Sequence, residues 1–332
     1  MRQVHTPLVV GVDEQSIARA VATLRAGNLV ALPTETVYGL GADAANVTAV
    51  KRVFQAKGRP ENHPLIVHIA GSELLPKWAV DIPLGAVRLA GAFWPGPLTL
   101  ILQKHPSVPT AVTGGRDTIA LRVPDHPVAL TLLEAFGGGV AAPSANRFGQ
   151  VSPTTAEAVV EELGDTVDLV VDGGPCAIGV ESTIVEFAPS DEGDVVTILR
   201  PGAVSAEAVE EVLGFAVSRT ATGPSRAPGM LASHYAPRTP VETCDADAFH
   251  AAFQHLRVQH LRVGVIAQQA LVCPEATCLW HADGDINRYA HGLYGWLRDA
   301  DRHNLDVVLA VLPQPDGVGV AIRDRLMRAA NG

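Results

Sequence analysis

The sequence lacks long hydrophobic runs and is poor in cysteine. No stretch of about 18 uncharged apolar residues occurs, which is the length that a membrane-spanning helix requires. The first residues, MRQVHTPLVVGVDEQ, contain no basic segment followed by an apolar stretch, so no secretory signal is predicted. The four cysteines (Cys176, Cys244, Cys273 and Cys278) are scattered and lack a matching His/Cys pair at zinc-site spacing. We therefore expect a cytosolic protein with reduced thiols and no membrane partner.

Positive charge is also in deficit. The formal net charge is −10, so the field of the whole molecule repels phosphate, and any direct contact with RNA requires a local basic patch. This argues against a pure RNA-binding module. Apolar residues make up 47% of the 332 residues, which is enough for buried cores in one large domain or two ordinary ones.

Three common motifs of nucleotide-binding enzymes and hydrolases are missing. Without GxxxxGK[ST], a P-loop does not hold the phosphates if ATP is bound. No GxGxxG follows a predicted strand to indicate a dinucleotide site. Neither a GxSxG elbow nor an ordered Ser/His/Asp set supports a hydrolase.

Hydrophobic periodicity predicts alternating helices and strands in the first two thirds of the chain. Apolar residues at helical spacing indicate helices over 14–27 and 47–58, and short β-branched runs indicate strands over 29–34 and 64–69. Further strands are predicted at 98–102, 118–123, 140–145, 169–174, 182–187 and 195–200, before a helix over 205–214. The pattern predicts an α/β domain of about 200 residues with too many strands for one βαβ unit.

The composition changes after this domain. Residues 218–240 are rich in Pro, Gly, Ser and Thr and have no apolar periodicity, which is typical of a linker. Beyond it, strands over 261–267 and 305–313 and helices over 286–302 and 319–330 indicate a smaller α/β domain. The predicted divisions are a larger domain (1–217), a linker (218–240) and a C-terminal domain (241–332).

Polar side chains follow the first predicted strand in PTETVYGLGADA, residues 33–44. The segment combines hydroxyls, one carboxylate and two glycines, which suit a turn whose backbone approaches a small polar ligand. An ordinary strand-to-helix turn with capping threonines is the alternative.

Two cations end the helix that precedes the second predicted strand. Lys57 and Arg59 either hold phosphate or carboxylate, or merely offset the helix dipole. His63 directly precedes the following strand, and His68 lies near the end of that strand. A histidine within an apolar strand, such as His68, is more often a core residue than a catalytic one.

Arg122 interrupts another apolar strand. A buried charge needs a partner, and either a carboxylated ligand or an internal Asp or Glu would serve. The later segment AAPSANRFGQVSPT (141–154) offers Ser144, Asn146 and Ser152 as neutral donors and acceptors among small residues.

The last candidates lie in DGGPCAIGVESTIVEF, residues 172–187, and at Arg200. The glycines permit tight backbone conformations before Ser182, although a plain Gly-rich loop explains them equally. Arg200 ends a strand, where ligands bind in open α/β sheets. The residues alone therefore indicate an α/β protein whose loops suit an anionic substrate.

These segments, together and in this order, resemble the YrdC/Sua5 family, and the linker with the C-terminal region resembles its longer, two-domain Sua5 type. The resemblance implies a YrdC-type twisted mixed sheet with flanking helices, plus a small Rossmann-like C-terminal α/β domain. The segment APGMLASHYAP within 218–240 is similar to the family segment that crosses the active-site mouth, which makes it a candidate lid.

The resemblance also implies the site residues. The family's Lys-x-Arg and Ser-x-Asn signature falls on Lys57, Arg59, Ser144 and Asn146, and the first two are the candidate catalytic residues. The implied threonine-binding residues are Thr36, His68, Arg122, Ala142 (through its backbone) and Ser182. The implied ATP contacts are Arg59, His63, Thr118, Ser144, Asn146, Ser152, Arg200, His234 and Tyr235. His63 departs from the family pattern, in which many members have Asn.

The implied activity is L-threonylcarbamoyladenylate synthesis, a nucleotidyl transfer that converts L-threonine, bicarbonate and ATP into threonylcarbamoyl-AMP and pyrophosphate. A downstream tRNA threonylcarbamoyl transferase would use the product to modify adenosine 37 in tRNAs that read ANN codons. Because no carboxylate cluster marks a metal cage, we expect Mg²⁺ to arrive with ATP rather than on protein side chains. The alternatives are a carbamoyl transferase on the same fold and a non-enzymatic RNA-binding module.

Overall fold

The computed structural model describes residues 7–188, 195–219 and 235–332, and within them the strands form two β-sheets. The larger sheet consists of β1 (Leu8–Val10), β2 (Val30–Leu32), β3 (Gly39–Asp43), β4 (Ile66–His68), β5 (Leu98–Gln103), β6 (Thr118–Arg122), β7 (Val140–Ala141), β8 (Leu169–Val171), β9 (Thr183–Ala188) and β10 (Val195–Arg200). The smaller sheet consists of β11 (Val241–Cys244), β12 (Val263–Ala267), β13 (Cys278–His281) and β14 (Val307–Val311).

Helices flank both sheets. Those associated with the larger sheet are α1 (Glu14–Arg25), α2 (Val47–Lys57), α3 (Leu75–Trp78), α4 (Leu84–Phe93), α5 (Thr110–Thr113), α6 (Pro127–Phe136), α7 (Ala156–Leu163) and α8 (Ala206–Leu213). The later helices are α9 (Phe249–Val258), α10 (Ile286–Arg302) and α11 (Gly317–Ala329). Short 3₁₀ turns occur at Ser72–Leu74, Gly164–Thr166 and Ala246–Ala248.

Local capping determines where helix α2 begins and ends. The Asn46 side chain accepts hydrogen bonds from the backbone N–H groups of Thr48 and Ala49, which otherwise lack partners in the first turn. Gly58 ends the helix in a left-handed conformation, with φ of 63°. The chain therefore leaves the helix directly after Lys57.

The larger sheet is mixed, with the order β1-β8-β2-β3-β7-β4-β6-β5-β9-β10. Strands β4 and β6 are parallel, whereas β5 and β6 are antiparallel. His68 on β4 is opposite Arg122 on β6, and Val140 of β7 flanks His68 on the other side. This arrangement confirms the predicted twisted mixed sheet and places two predicted site residues at neighbouring strand ends.

Strand β3 corrects the expectation that residues 33–44 form only a turn. The glycines conceal the strand pattern, because a Cβ at Gly41 would lie 2.8 Å from Leu32 Cδ2 and 2.9 Å from Val140 Cγ1. The neighbouring strands thus leave no room for a side chain there. The strand predicted over 140–145 is also shorter than expected, because Pro143 has no N–H with which to continue the ladder.

The smaller sheet is parallel throughout, in the order β11-β14-β12-β13, as expected for a Rossmann-like α/β unit. One apolar cluster joins its helices to loops of the larger sheet. Val37 and Val180 pack in the same buried cluster as Leu293 and Leu297 of α10. The C-terminal part of the chain is therefore packed against the segments that carry predicted site residues.

The domain boundaries at 217 and 240 stay a prediction, since residues 220–234 lie outside the described ranges. Most of the candidate lid falls in the same gap. Of the helices seen in residues 7–188, 195–219 and 235–332, none is long and apolar enough to cross a membrane.

Two glycines of one loop provide a test of this packing. Gly179 (φ 84°) has the Ala290 carbonyl oxygen and the His291 Cα 2.6 Å from the position of a Cβ, whereas Gly174 (φ 82°) has no atom within 4 Å of that position. Gly174→Ala should lower the free energy of unfolding by about 1–2 kcal/mol through left-handed strain. Gly179→Ala should lower it by about 1–3 kcal/mol more, because α10 must shift. Denaturant unfolding of both variants measures the difference, and equal losses would contradict the packing.

Candidate ligand-binding site

A cavity opens beside the carboxyl ends of β4, β6 and β10, and it brings together residues that are far apart in the chain. Its walls are formed by Thr34, Thr36, Val37, Gly39, Arg59, Ile66, His68, Arg122, Ala142, Pro143, Ser144, Glu181, Ser182, Arg200 and Tyr235. Of the predicted site residues, Lys57, His63, Thr118, Asn146 and Ser152 do not line it. His234 lies outside the described residues.

Arg59 is a buried cation on the cavity wall, 7% exposed. It follows α2 directly because Gly58 turns the chain. Its Nη2 donates to the Pro64 carbonyl oxygen at 3.0 Å, and its Cζ lies 5.7 Å from the centre of the Phe148 ring. Burial lowers the pKa of Arg59 to about 10, so the guanidinium stays charged at neutral pH.

Arg122 has a carboxylate partner within the protein. Its Nη2 lies 2.6 Å from Glu35 Oε1, and both side chains are almost fully buried. Its Nε donates to the Gly96 carbonyl oxygen at 3.2 Å. Of the two partners that the sequence leaves open, the internal carboxylate is therefore present, while the guanidinium still forms part of the cavity wall.

Arg200 and Ser182 form a second polar cluster. Arg200 Nε donates to the Ser182 carbonyl oxygen at 3.1 Å, and Nη2 donates to the Ser182 hydroxyl at 3.0 Å. The Ser182 hydroxyl also lies 2.8 Å from Thr99 Oγ1. Three contacts therefore hold one serine against the cavity, at the start of β9.

His68 is neutral in this environment. It is 3% exposed, and burial together with the charge of Arg122 lowers its pKa to about 3. Its Nδ1 has no hydrogen-bond partner among the described residues. A buried nitrogen without a partner at a cavity wall is available to a ligand.

Lys57 lies behind the cavity rather than on its wall. Its Nζ donates to the carbonyl oxygens of Ser144 and Asn146, which clamps the turn that presents Ser144 to the cavity. Burial, followed by the charge of Arg59, brings the pKa of Lys57 well below its usual range. Its assignment as a catalytic residue stays a prediction.

The other predicted ATP contacts are set back from the cavity. The Asn146 amide donates to the carbonyl oxygens of Arg147 and Gln150, within the turn that Lys57 holds. Thr118 opens β6, and His63 packs edge-on against Phe148 with ring centres 5.4 Å apart. These residues do not form the cavity wall.

Two carboxylates at the site were not predicted. Glu35 is in the first polar segment, and Glu181 directly precedes Ser182. The local sequence around each carboxylate does not indicate which arginine it pairs with. A signal does exist for Arg325, the partner of Glu181. It shares a helix face with the apolar residues Ile322 and Ala329, which predicts a buried arginine in need of a carboxylate.

Within residues 7–188, 195–219 and 235–332, no group of three or more His, Cys, Asp or Glu residues is arranged to hold a metal ion.

Two family models match the chain. The Sua5/YciO/YrdC model, whose description reads "Telomere recombination", matches residues 22–202. A second model, described as the threonylcarbamoyl-AMP synthase C-terminal domain, matches residues 204–331. Together the two matches extend from the first helix to the end of α11.

Known proteins resemble the chain over nearly its whole length. It is 41% identical to the threonylcarbamoyl-AMP synthase of Bacillus subtilis, over 96% of this chain and 94% of that protein. It is 40% identical to the enzyme of that name from Pyrococcus abyssi, over 96% and 95%. The crystal structure of P. abyssi Sua5 complexed with L-threonine superposes with a TM-score of 0.90 at 38% identity, covering 98% of each chain.

The buried His68 predicts a pH dependence of stability. The unfolded chain protonates this residue as the pH falls through about 6.5, whereas the folded chain does so only near pH 3. Acidification between these values therefore favours unfolding, by up to about 1.4 kcal/mol per pH unit. Relative to His68→Gln, the wild type should lose about 2 kcal/mol of unfolding free energy between pH 7 and pH 5. Denaturant titrations at several pH values measure this difference, and parallel curves for the two proteins would contradict it.

Proposed function

The chain belongs to the Sua5/YciO/YrdC family, and on this premise we propose that it synthesises threonylcarbamoyl-AMP from L-threonine, bicarbonate and ATP. The observation that carries the proposal is the match to synthases of this name along both sheets of the fold. The cavity supports it, because it brings together cations, hydroxyls and a neutral imidazole that can bind a small zwitterion beside a triphosphate.

We propose that threonine occupies the part of the cavity at the carboxyl ends of β4 and β6. Arg122 would pair with its carboxylate, sharing the guanidinium with Glu35. Thr36, His68 and Ser182 would orient its amine and hydroxyl, and the backbone of Ala142 would complete the contacts. The unpartnered Nδ1 of His68 supports this assignment.

ATP would lie on the side of the cavity formed by Arg59, Ser144, Arg200 and Tyr235. Arg59 and Arg200 supply charge toward the phosphates. Contacts by His63, Thr118, Asn146 and Ser152 remain part of the proposal, and each would need the nucleotide to extend beyond the cavity wall. His234 keeps its proposed ATP contact, outside the described residues.

The chemistry requires two bond-forming steps. The threonine amine and bicarbonate give a carbamate with loss of water, and a carbamate oxygen then attacks the α-phosphorus of ATP, releasing pyrophosphate. Positioning the two reactants supplies most of the acceleration. The pKa of His68 near 3 makes it a hydrogen-bonding group rather than a general base at neutral pH.

Arg59 and Arg200 offset the charge of the phosphates directly from the cavity wall. Lys57, the other candidate catalytic residue, acts by holding the turn of Ser144. Mg²⁺ would enter bound to the ATP phosphates and stabilise the leaving pyrophosphate.

We propose that the product passes to a tRNA threonylcarbamoyl transferase, which modifies adenosine 37 of ANN-reading tRNAs in the cytoplasm. Residues 1–217 would form the catalytic domain, 218–240 a linker that acts as a lid, and 241–332 a supporting domain. The net charge of −10 supports transfer through this partner rather than strong tRNA binding by the chain itself.

Incubation with MgATP, threonine and labelled bicarbonate tests the proposed function. We expect a labile, labelled threonine adenylate together with one pyrophosphate per product. Omission of threonine should abolish the labelled species. Pyrophosphate release that does not depend on threonine and bicarbonate would reject the proposed reaction.

Arg59→Ala should lower threonine-dependent pyrophosphate release at least about a hundredfold, the scale of losing a preorganised charge in a dry site. Arg52→Ala is the matched control. Arg52 lies on α2, the helix that ends just before Gly58 and Arg59, makes a 2.9 Å ion pair with Asp168, and does not line the cavity. Steady-state assays of both variants measure the contrast, and near-normal turnover in Arg59→Ala would remove this residue from the mechanism.

A further inference from the structure

Glu181 is a buried carboxylate that connects the ligand cavity to the C-terminal part of the chain. It is 5% exposed, lines the cavity and directly precedes Ser182. Its Oε1 accepts a hydrogen bond from the Ser152 hydroxyl at 2.6 Å. Its Oε2 accepts from the Tyr294 hydroxyl at 2.7 Å and from Arg325 Nε at 2.8 Å. Two of its three donors therefore come from helices α10 and α11.

Arg325 is fully buried on α11 and bridges three elements. Besides Glu181, it donates from Nη2 to the Pro201 carbonyl oxygen at 3.0 Å, directly after Arg200. Its Cζ lies 5.1 Å from the centre of the Tyr235 ring, which belongs to the cavity wall. One guanidinium thus contacts a carboxylate, a backbone carbonyl and an aromatic ring from three separate segments of the chain.

Tyr294 reinforces the same contacts from α10. Its ring stacks on Tyr235, with centres 5.7 Å apart and planes inclined by 27°. Burial raises the pKa of Tyr294, so its hydroxyl remains a neutral donor to Glu181. The residue therefore holds one cavity residue through its ring and another through its hydroxyl.

Electrostatics make these contacts necessary rather than incidental. Burial by itself would raise the pKa of Glu181, but the charges of Arg325 and Arg200 and the hydrogen bonds it accepts bring that pKa down to about 2. Glu181 is thus ionised at neutral pH. An ionised carboxylate in a dry wall that loses a donor must move or draw in water, and either change displaces Ser182.

We propose that Tyr294 and Arg325 are positioning residues for the ligand cavity. They act through Glu181 and Tyr235, since none of the described residues beyond 235 lines the cavity itself. The C-terminal domain is then a structural part of the binding site. The identity of the ligands, threonine and ATP, rests on the proposed function.

The path from these helices to the threonine side of the cavity is short. Gly179 donates its N–H to the Thr36 carbonyl oxygen at 3.2 Å and packs against the backbone of α10. Ser182 lies next to Glu181 and receives the Arg200 guanidinium. If Glu181 loses a donor and shifts, Thr36 and Ser182 are therefore the cavity residues that we expect to move with it.

Two buried tyrosines of α10 provide a matched test. Tyr294→Phe removes only the hydrogen bond to Glu181 and keeps the ring stack on Tyr235. Tyr289→Phe removes a hydroxyl that is equally buried but donates at 2.8 Å to the Val311 carbonyl oxygen, within the C-terminal part. Calorimetric titration with threonine, and separately with MgATP, gives the dissociation constants. We expect Tyr294→Phe to weaken threonine binding about three- to tenfold, less than a full hydrogen bond to a charged group would give because Tyr294 acts on the ligand through Glu181. Tyr289→Phe should leave threonine binding within about twofold.

The possible results separate the two proposals. Unchanged threonine binding by Tyr294→Phe, or equal weakening by both variants, overturns the positioning role. The proposed function still stands in that case if the wild-type protein binds threonine and MgATP. A wild-type protein that binds neither ligand overturns the proposed function and this inference with it.

Arg325 permits a second measurement by rescue. Arg325→Gln removes the ion pair with the Glu181 carboxylate and leaves the charge of Arg200 acting on it, and we expect threonine binding to weaken at least about tenfold. Glu181→Gln combined with Arg325→Gln also removes the buried carboxylate charge and should recover part of that loss, which a double-mutant cycle quantifies. Strictly additive effects would contradict coupling between the two residues. Tyr294→Phe remains decisive if Arg325→Gln does not fold.

Discussion

The ligand cavity depends on cations that are kept out of water and held in place by internal acceptors. Arg59, Arg122 and Arg200 are each less than 8% exposed, and each donates to a backbone carbonyl oxygen nearby. A buried guanidinium without such acceptors would lose its hydration and form no hydrogen bonds to compensate, which would destabilise the fold. Because the donors are already oriented and dry, they interact more strongly with an incoming anion than they would at a wet surface.

This arrangement makes the two sheets parts of one binding unit. The larger sheet supplies the strand ends that carry His68 and Arg122, whereas α10 and α11 stabilise the opposite wall. The apolar cluster between them buries Val37 beside Thr36 and Val180 beside Glu181. Hydrophobic packing thus fixes the positions of Thr36 and Glu181 at the cavity. The contacts of Glu181 with Tyr294 and Arg325 in turn restrict how α10 and α11 can pack.

Local patterns predicted the regular elements well, and long-range pairing explains most of what they missed. Helices α1, α2 and α10 were predicted almost to the residue because capping and apolar spacing are local signals. Strands β1, β11 and β13 were missed, since each is three or four residues long and lies at a sheet edge. The convergence of Arg59, Arg122, Ser144 and Ser182 followed from a family resemblance, and the structure brings them to one cavity. The Arg325–Glu181 pair spans 144 residues, and no local pattern specifies which carboxylate a buried arginine will meet.

The alignment of His68 with Arg122 in parallel strands restricts how this protein can change length. Inserting or deleting one residue in β4 or β6 would turn the following side chains to the opposite face of the sheet, and the imidazole and the guanidinium would no longer share a cavity. Residues 61 and 62, in the connection between α2 and β4, carry no such constraint, because both are exposed. Evolutionary gaps should therefore be tolerated at these two positions and excluded from the two strands.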